Sequence, residues 1–211
     1  MRESKFTLNA LLLVVLIISA IFFLVSVKLF NLAIRGAVND YYPIEGTPYA
    51  VRYSNMKPNG IYEGGKTTGV LKLEGEFGYD WGAAAQGDTL YLNEYEHTDL
   101  GLTLCSVVRV ETPGFEKSVL LEDAVLRGRC ASGELVCLGG CFMSFDYPKT
   151  NALCRLYALS SRELRPQSDG ALVLFVDPDS GEVVYSVQDA EALSGDFDAR
   201  YLARTLEEVR G

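Results

Sequence analysis

Four of the five cysteines lie close together in the second half of the chain. The stretch CASGELVCLGGC contains Cys130, Cys137 and Cys141, and Cys154 follows it. Four thiolates can bind zinc, but these spacings lack the C-x2-C pairs that hold two thiolates on one tight turn. A dithiol redox site also needs a C-x2-C pair, at the start of a helix. We therefore predict neither a metal site nor a redox site here, and no cofactor.

Two interpretations of these cysteines remain, a structural disulfide and buried thiols. If Gly133 and Glu134 form a two-residue turn, Cys130 and Cys137 face each other across a hairpin. If the turn lies one residue earlier, the two are diagonal and do not meet. A bend at residues 139–140 would instead bring Cys137 to Cys141. We expect one disulfide within the group Cys130, Cys137 and Cys141, because the exported location inferred below favours oxidation.

The other two cysteines occupy matching positions in successive repeats of the β pattern described below. Cys105 and Cys154 each follow a leucine at the start of a strand-like run. Equivalent strands should hold them too far apart to bond. We predict that both are buried free thiols.

No other residues form a recognisable catalytic pattern. His97 is the single histidine, which excludes any site that needs two, and we expect it on a solvated loop. Asp177, Asp179 and Glu182 could approach calcium, but DPDSGE lacks the other oxygen ligands of a calcium loop and fits a hairpin turn. The sequence contains no G-x-S-x-G, P-loop, H-E-x-x-H or dinucleotide motif. We assign no catalytic, metal or cofactor-binding residue.

A long apolar run near the N-terminus predicts a transmembrane helix. Residues Phe6 to Val27 contain no charge, and a helix of this length spans about 33 Å at about 1.5 Å per residue. Bulky and basic residues follow where a signal peptide would have its cleavage site, so we expect a retained signal anchor. The positive charges on the two sides of the apolar run are equal in number, so they do not decide its orientation. We expect a cytoplasmic tail at residues 1–5 and the C-terminal part outside the cell membrane.

After a juxtamembrane linker at residues 28–48, the pattern predicts a mainly β domain at residues 49–195. Short runs rich in Val, Leu, Tyr and Thr alternate with Gly, Asp and Pro clusters, and apolar residues recur with a period near two. The turn DPDSG between ALVLFV and EVVYSV predicts a hairpin. Residues 196–211 predict a short amphipathic helix with Asp196 or Asp198 as its N-cap.

Three units of the β pattern repeat loosely, at residues 87–132, 133–169 and 170–190. Each opens on a glycine and a strand-like run: GDTLYL, GELVCL and GALVLF. Together with the D-x-x-x-G hairpin and a period of roughly 40 residues, these openings resemble the blades of β-propellers of the TolB-like or pyrroloquinoline-quinone-repeat kind, over residues 87–187. The resemblance implies a propeller-like domain. Because such rings close with at least four blades, an open antiparallel sheet with uncovered edges is the alternative.

The net charge of the chain and the predicted sheet edges indicate which classes of partner the protein can bind. The net charge of −9 repels phosphate backbones, so we expect no nucleic-acid partner. An open sheet edge indicates a protein partner. We predict a membrane-anchored, extracytoplasmic binding or scaffold module. An exported hydrolase with carboxylates from separate loops, or a truncated propeller without independent activity, are the alternatives.

Overall fold

The computed structural model describes residues 2–35, 39–54, 57–97, 102–139, 141–145, 162–166, 171–192 and 196–211. The first element is helix α1 (Arg2–Arg35). Its large apolar side chains at residues 13–29 are exposed; Leu16 is 66% and Phe22 73% exposed.

The prediction of a transmembrane helix from Phe6 to Val27 is corrected here. Among the residues that the structure describes, no helix is long and apolar enough to cross a membrane. The location at the cell membrane, which was inferred from that span, stays a prediction.

The described residues after α1 form fourteen strands. In chain order they are β1 (Asn39–Pro43), β2 (Tyr49–Ser54), β3 (Gly60–Glu63), β4 (Val70–Glu74), β5 (Phe77–Gln86), β6 (Thr89–His97), β7 (Leu102–Glu111), β8 (Glu116–Leu121), β9 (Ala124–Arg129), β10 (Leu135–Gly139), β11 (Cys141–Phe145), β12 (Arg162–Pro166), β13 (Ala171–Val176) and β14 (Val183–Asp189). A π-helical turn (Asp198–Leu202) and helix α2 (Leu206–Arg210) follow.

The strands form three antiparallel sheets. Sheet A has the order β1-β2-β3-β4, and sheet C the order β14-β13-β10-β9. Sheet B has the order β12-β11-β7-β6-β5, and β8 also pairs with β7. The hairpin predicted around DPDSG is confirmed, because β13 pairs with β14 and Phe175 lies opposite Tyr185.

Sheet B is the middle layer of the fold. Leu90 and Leu92 of β6 pack with Val51 and Ile61 of sheet A, whereas Tyr91 packs on the other side with sheet C. Because side chains alternate along a strand, this explains why the run LYL in β6 is apolar at successive positions: both faces of the strand are covered.

The C-terminal segment, residues 196–211, packs on sheet C in a different cluster from the one that contains Tyr91. Phe197, Tyr201 and Leu206 are buried there, and the rings of Phe175 and Tyr201 are 6.2 Å apart. The predicted helix is present as two short pieces. The N-cap of α2 is Thr205, whose side chain accepts from the Glu208 amide, and not Asp196 or Asp198.

The mainly β prediction is confirmed, and the arrangement is one of three stacked sheets. Strand β9 lies in the first predicted repeat, β10 in the second and β13 in the third, yet all three belong to sheet C. The resemblance to propeller blades stays a prediction.

Candidate functional site

The first cysteine of the group lies in the turn between β9 and β10. The Cys130 amide donates to Glu134 O at 2.9 Å, and the Gly133 amide donates to Cys130 O at 3.0 Å. Gly133 has φ +110°, a conformation that side chains with a Cβ disfavour. The turn is longer than either of the two-residue turns expected from the sequence, so Cys130 lies in the turn and not in the ladder.

Three side chains of this turn form a hydrogen-bonded group, which we call the thiol cluster: Cys130, Ser132 and Glu134. Cys130 Sγ donates to Glu134 Oε2 at 3.0 Å, and Ser132 Oγ donates to the same oxygen at 2.6 Å. Burial opposes ionisation of Glu134, but the hydrogen bonds from Cys130, Ser132 and the backbone, together with the charge of Arg210, outweigh it. The pKa of Glu134 is therefore below its ordinary value.

The thiol cluster holds the C-terminal segment on sheet C and is poorly suited to catalysis. The lowered pKa makes the Glu134 carboxylate a weak base, which does not suit it to general-base catalysis. Ser132 Oγ also accepts from the Leu206 amide at 2.8 Å, and the Ala131 amide donates to Arg204 O at 2.9 Å. The turn thus fixes the C-terminal segment to sheet C. Sequence reasoning missed Ser132 and Glu134, because their role depends on the approach of a segment far along the chain.

The expected disulfide is absent among the cysteines whose side chains are described. Cys130 and Cys137 are free thiols. Cys137 pairs with Leu126 in the ladder and packs between sheets B and C, whereas Cys130 packs between sheet C and the C-terminal segment. Cys141 lies in β11, but its side chain is outside the described part of the chain, and Cys154 is outside it entirely.

Burial governs the chemistry of the two core thiols. It raises the pKa of Cys137 to about 12. Burial, and to a smaller degree Cys137, also raises the pKa of Cys105, which is buried and donates to Asn93 Oδ1 at 3.6 Å. Both thiols stay protonated at neutral pH, and so neither has the thiolate needed of a nucleophile or metal ligand.

The other predicted residues are placed as follows. His97 lies in β6 opposite Thr103, and not on the expected loop, because β6 extends further than its apolar run. Asp177 Oδ1 accepts from the Asp179 and Ser180 amides, which lower the pKa of its carboxyl and fix the hairpin turn. Within the described residues, no three His, Cys, Asp or Glu side chains are grouped so that they could hold a metal ion.

Several sheet edges are guarded against further pairing. Lys72 in β4, Leu120 in β8 and Val184 in β14 are extra residues in the ladders, and such bulges bend an edge away from a new partner. Arg210 also donates to Val184 O at 2.9 Å and so occupies part of the β14 edge.

Strand β1 is an edge strand without such a bulge. Its register with β2 is unbroken from Asn39, opposite Ser54, to Pro43, opposite Ala50. The Ile44 amide donates to Tyr49 O at 2.9 Å in the same register. Because hydrogen-bonded pairs alternate in an antiparallel ladder, residues 42 and 40 point their backbone groups to β2, and residues 39, 41 and 43 point theirs outward.

The outward positions suit an added strand. Tyr41 presents both its N–H and its C=O on the outer side, where no strand of the described chain lies. Pro43 has no N–H to satisfy there, which is the position at which a strand tolerates proline. Edge strand β12 is also unbroken, but its sequence RELRP carries three charges that discourage pairing.

No family model, curated protein or solved structure matches the chain.

Proposed function

We propose that the protein is a binding module that adds an extended segment of a protein partner to the β1 edge of sheet A. The observation that carries this proposal is the outward pair of backbone groups on Tyr41, in an edge strand of unbroken register. Backbone hydrogen bonds to an exposed edge are a common way to bind an extended peptide.

The side chains beside Tyr41 support the same function. Tyr42 is 37% exposed at this edge and offers a rigid apolar surface. The hydroxyl of Tyr41 donates to Gly64 O, which anchors the ring across sheet A and leaves the backbone free to pair. The edge is therefore ordered before a partner arrives, which reduces the entropic cost of binding.

A photoactivatable amino acid in place of Tyr42, in the full-length chain, tests this function. We expect a cross-linked product of defined mass after irradiation in the producing cells. The matched control is the same amino acid in place of Val70, which is 61% exposed on the opposite, bulged edge of sheet A. Val70 should give no such product.

Two variants of Tyr41 show whether the backbone makes the contact. Tyr41→Pro removes the outward N–H, whereas Tyr41→Ala removes the same ring and keeps that N–H. The product should disappear with Tyr41→Pro and persist with Tyr41→Ala. Equal products from positions 42 and 70, or a product that survives Tyr41→Pro, would contradict the proposal.

A further inference from the structure

We infer that the segment added to β1 is the β1 strand of a second copy of this chain, paired antiparallel about Tyr41. This inference rests on the proposed function, because it names the partner of the same edge. It makes sheet A continuous across a two-fold dimer.

The hydrogen-bonding pattern of β1 is self-complementary in this register. The Tyr41 N–H donates to Tyr41 O of the partner subunit, and the reverse bond forms by symmetry. The outward N–H of Asn39 meets the outward carbonyl of Pro43 of the partner subunit. Pro43 has no N–H to donate in return, so each Asn39–Pro43 pair forms one hydrogen bond and not two.

The charges of β1 also allow the pairing. Asp40 is the single charged residue of the strand NDYYP. In this register it lies opposite Tyr42 of the partner subunit and not opposite another carboxylate. For a chain with a net charge of −9 this matters, because like charges directly opposite each other destabilise a ladder.

A register-specific disulfide tests the inference in the full-length chain. Residues 40 and 42 of the two copies would form a non-hydrogen-bonded pair, with Cα atoms about 4.5 Å apart, a distance that a disulfide can bridge. Asp40→Cys and Tyr42→Cys chains carrying different tags are produced singly and together, then oxidised. The chains produced together should give at least about tenfold more cross-linked dimer than either alone, because identical positions are more than about 7 Å apart.

The single variants also measure any cross-linking through the chain's own cysteines. Adding Tyr41→Pro should abolish the cross-link, and adding Tyr41→Ala should retain it. Equal cross-linking in the single and joint productions would overturn the inference, since association would then occur elsewhere, for example through α1.

The failure of the inference and that of the proposed function are distinguishable. If no register-specific disulfide forms and the photoproduct from position 42 contains another protein, the self-pairing is wrong and the edge-binding function stands. If neither the disulfide nor a photoproduct forms, both are wrong. A photoproduct of twice the chain mass together with the disulfide supports both.

Discussion

The side-chain amide of Asn93 replaces a strand partner for Leu126. Asn93 Oδ1 accepts from the Leu126 amide at 2.7 Å, and Asn93 Nδ2 donates to Leu126 O at 3.0 Å. Asn93 lies in sheet B and Leu126 in edge strand β9 of sheet C, and both are fully buried. One polar side chain thus links the two sheets and satisfies backbone groups that no strand reaches.

Asn93→Ala should lower the free energy of unfolding by about 2–5 kcal/mol, because it leaves the buried amide and carbonyl of Leu126 without partners. Urea denaturation measures the change. Glu94→Gln, at the neighbouring position, is the matched control. It removes an exposed ion pair with Lys117 and should cost less than about 1 kcal/mol. Equal losses in the two variants would show that Asn93 does not link the sheets.

The Tyr201 hydroxyl predicts a loss of stability in alkali. Burial, and then its hydrogen bond to Asp189 Oδ2 at 2.7 Å, raises the pKa of Tyr201 to about 12. Since the unfolded side chain titrates near pH 10, the unfolded state loses this proton first. The contribution is fully present below pH 10 and is lost as the pH rises through about 12.

The Tyr201→Phe variant isolates this contribution. The free energy of unfolding of the wild type should fall more steeply between pH 10 and 12 than that of Tyr201→Phe. Other tyrosines and lysines titrate in both proteins and cancel in the difference. Parallel curves for the two proteins would remove the role assigned to the hydrogen bond with Asp189.

The carboxyl of Asp189 predicts the opposite dependence in acid. Burial opposes its ionisation, but the hydrogen bonds from Tyr201 and the Glu191 amide and the charge of Arg200 lower its pKa. Its contribution is present above the ordinary carboxyl pKa of about 4 and is lost as the pH falls through the lower folded value. Asp189→Asn should remove this dependence below about pH 4, as measured by urea denaturation. If the free energy of unfolding of Asp189→Asn depends on acid pH as that of the wild type does, the role assigned to the Asp189 carboxyl is contradicted.

Ser132→Ala should loosen the C-terminal segment. It removes the acceptor of the Leu206 amide and a donor to Glu134, at a cost of about 1 kcal/mol. Proteolysis within residues 196–211 should become several-fold faster, because a local opening of this size is about fivefold more populated. Ser180→Ala, in the hairpin turn of sheet C, should leave that rate unchanged. Equal rates in Ser132→Ala and wild type would mean that the thiol cluster does not hold the segment.

The described thiols should behave as buried and free. Peptide mapping without a reductant should find no disulfide at Cys105, Cys130 or Cys137, and a thiol reagent should modify all three only after unfolding. Rapid modification of Cys137 in the native protein would contradict its position between sheets B and C.

The features predictable from the sequence were those set by neighbours in the chain. The turn DPDSG determines the β13–β14 hairpin, because its proline and glycine act locally. The pairing of β10 with β13 joins segments more than thirty residues apart, and no local pattern reports it. For that reason the sequence alone does not indicate that β9, β10 and β13 share one sheet.

The length of one turn determines where Cys130 lies relative to Cys137. The sequence predicts a two-residue turn before Cys137, whereas the turn from Cys130 to Glu134 is longer and places Cys130 outside the ladder. A bulge then places Leu126 opposite Cys137. The outward backbone groups of Tyr41 are also not predictable from the sequence, because the register of β1 against β2 decides which residues face outward.

Hydrogen exchange at the amides of Tyr41 and Tyr42 tests the pairing of β1 most directly. The Tyr42 amide points to β2 and should be protected at every protein concentration. The Tyr41 amide points outward, so it should be protected in the concentrated full-length chain and exchange faster as the chain is diluted. Tyr41 protection that does not change with dilution, or rapid exchange at all concentrations, would contradict the pairing of β1 with a second copy.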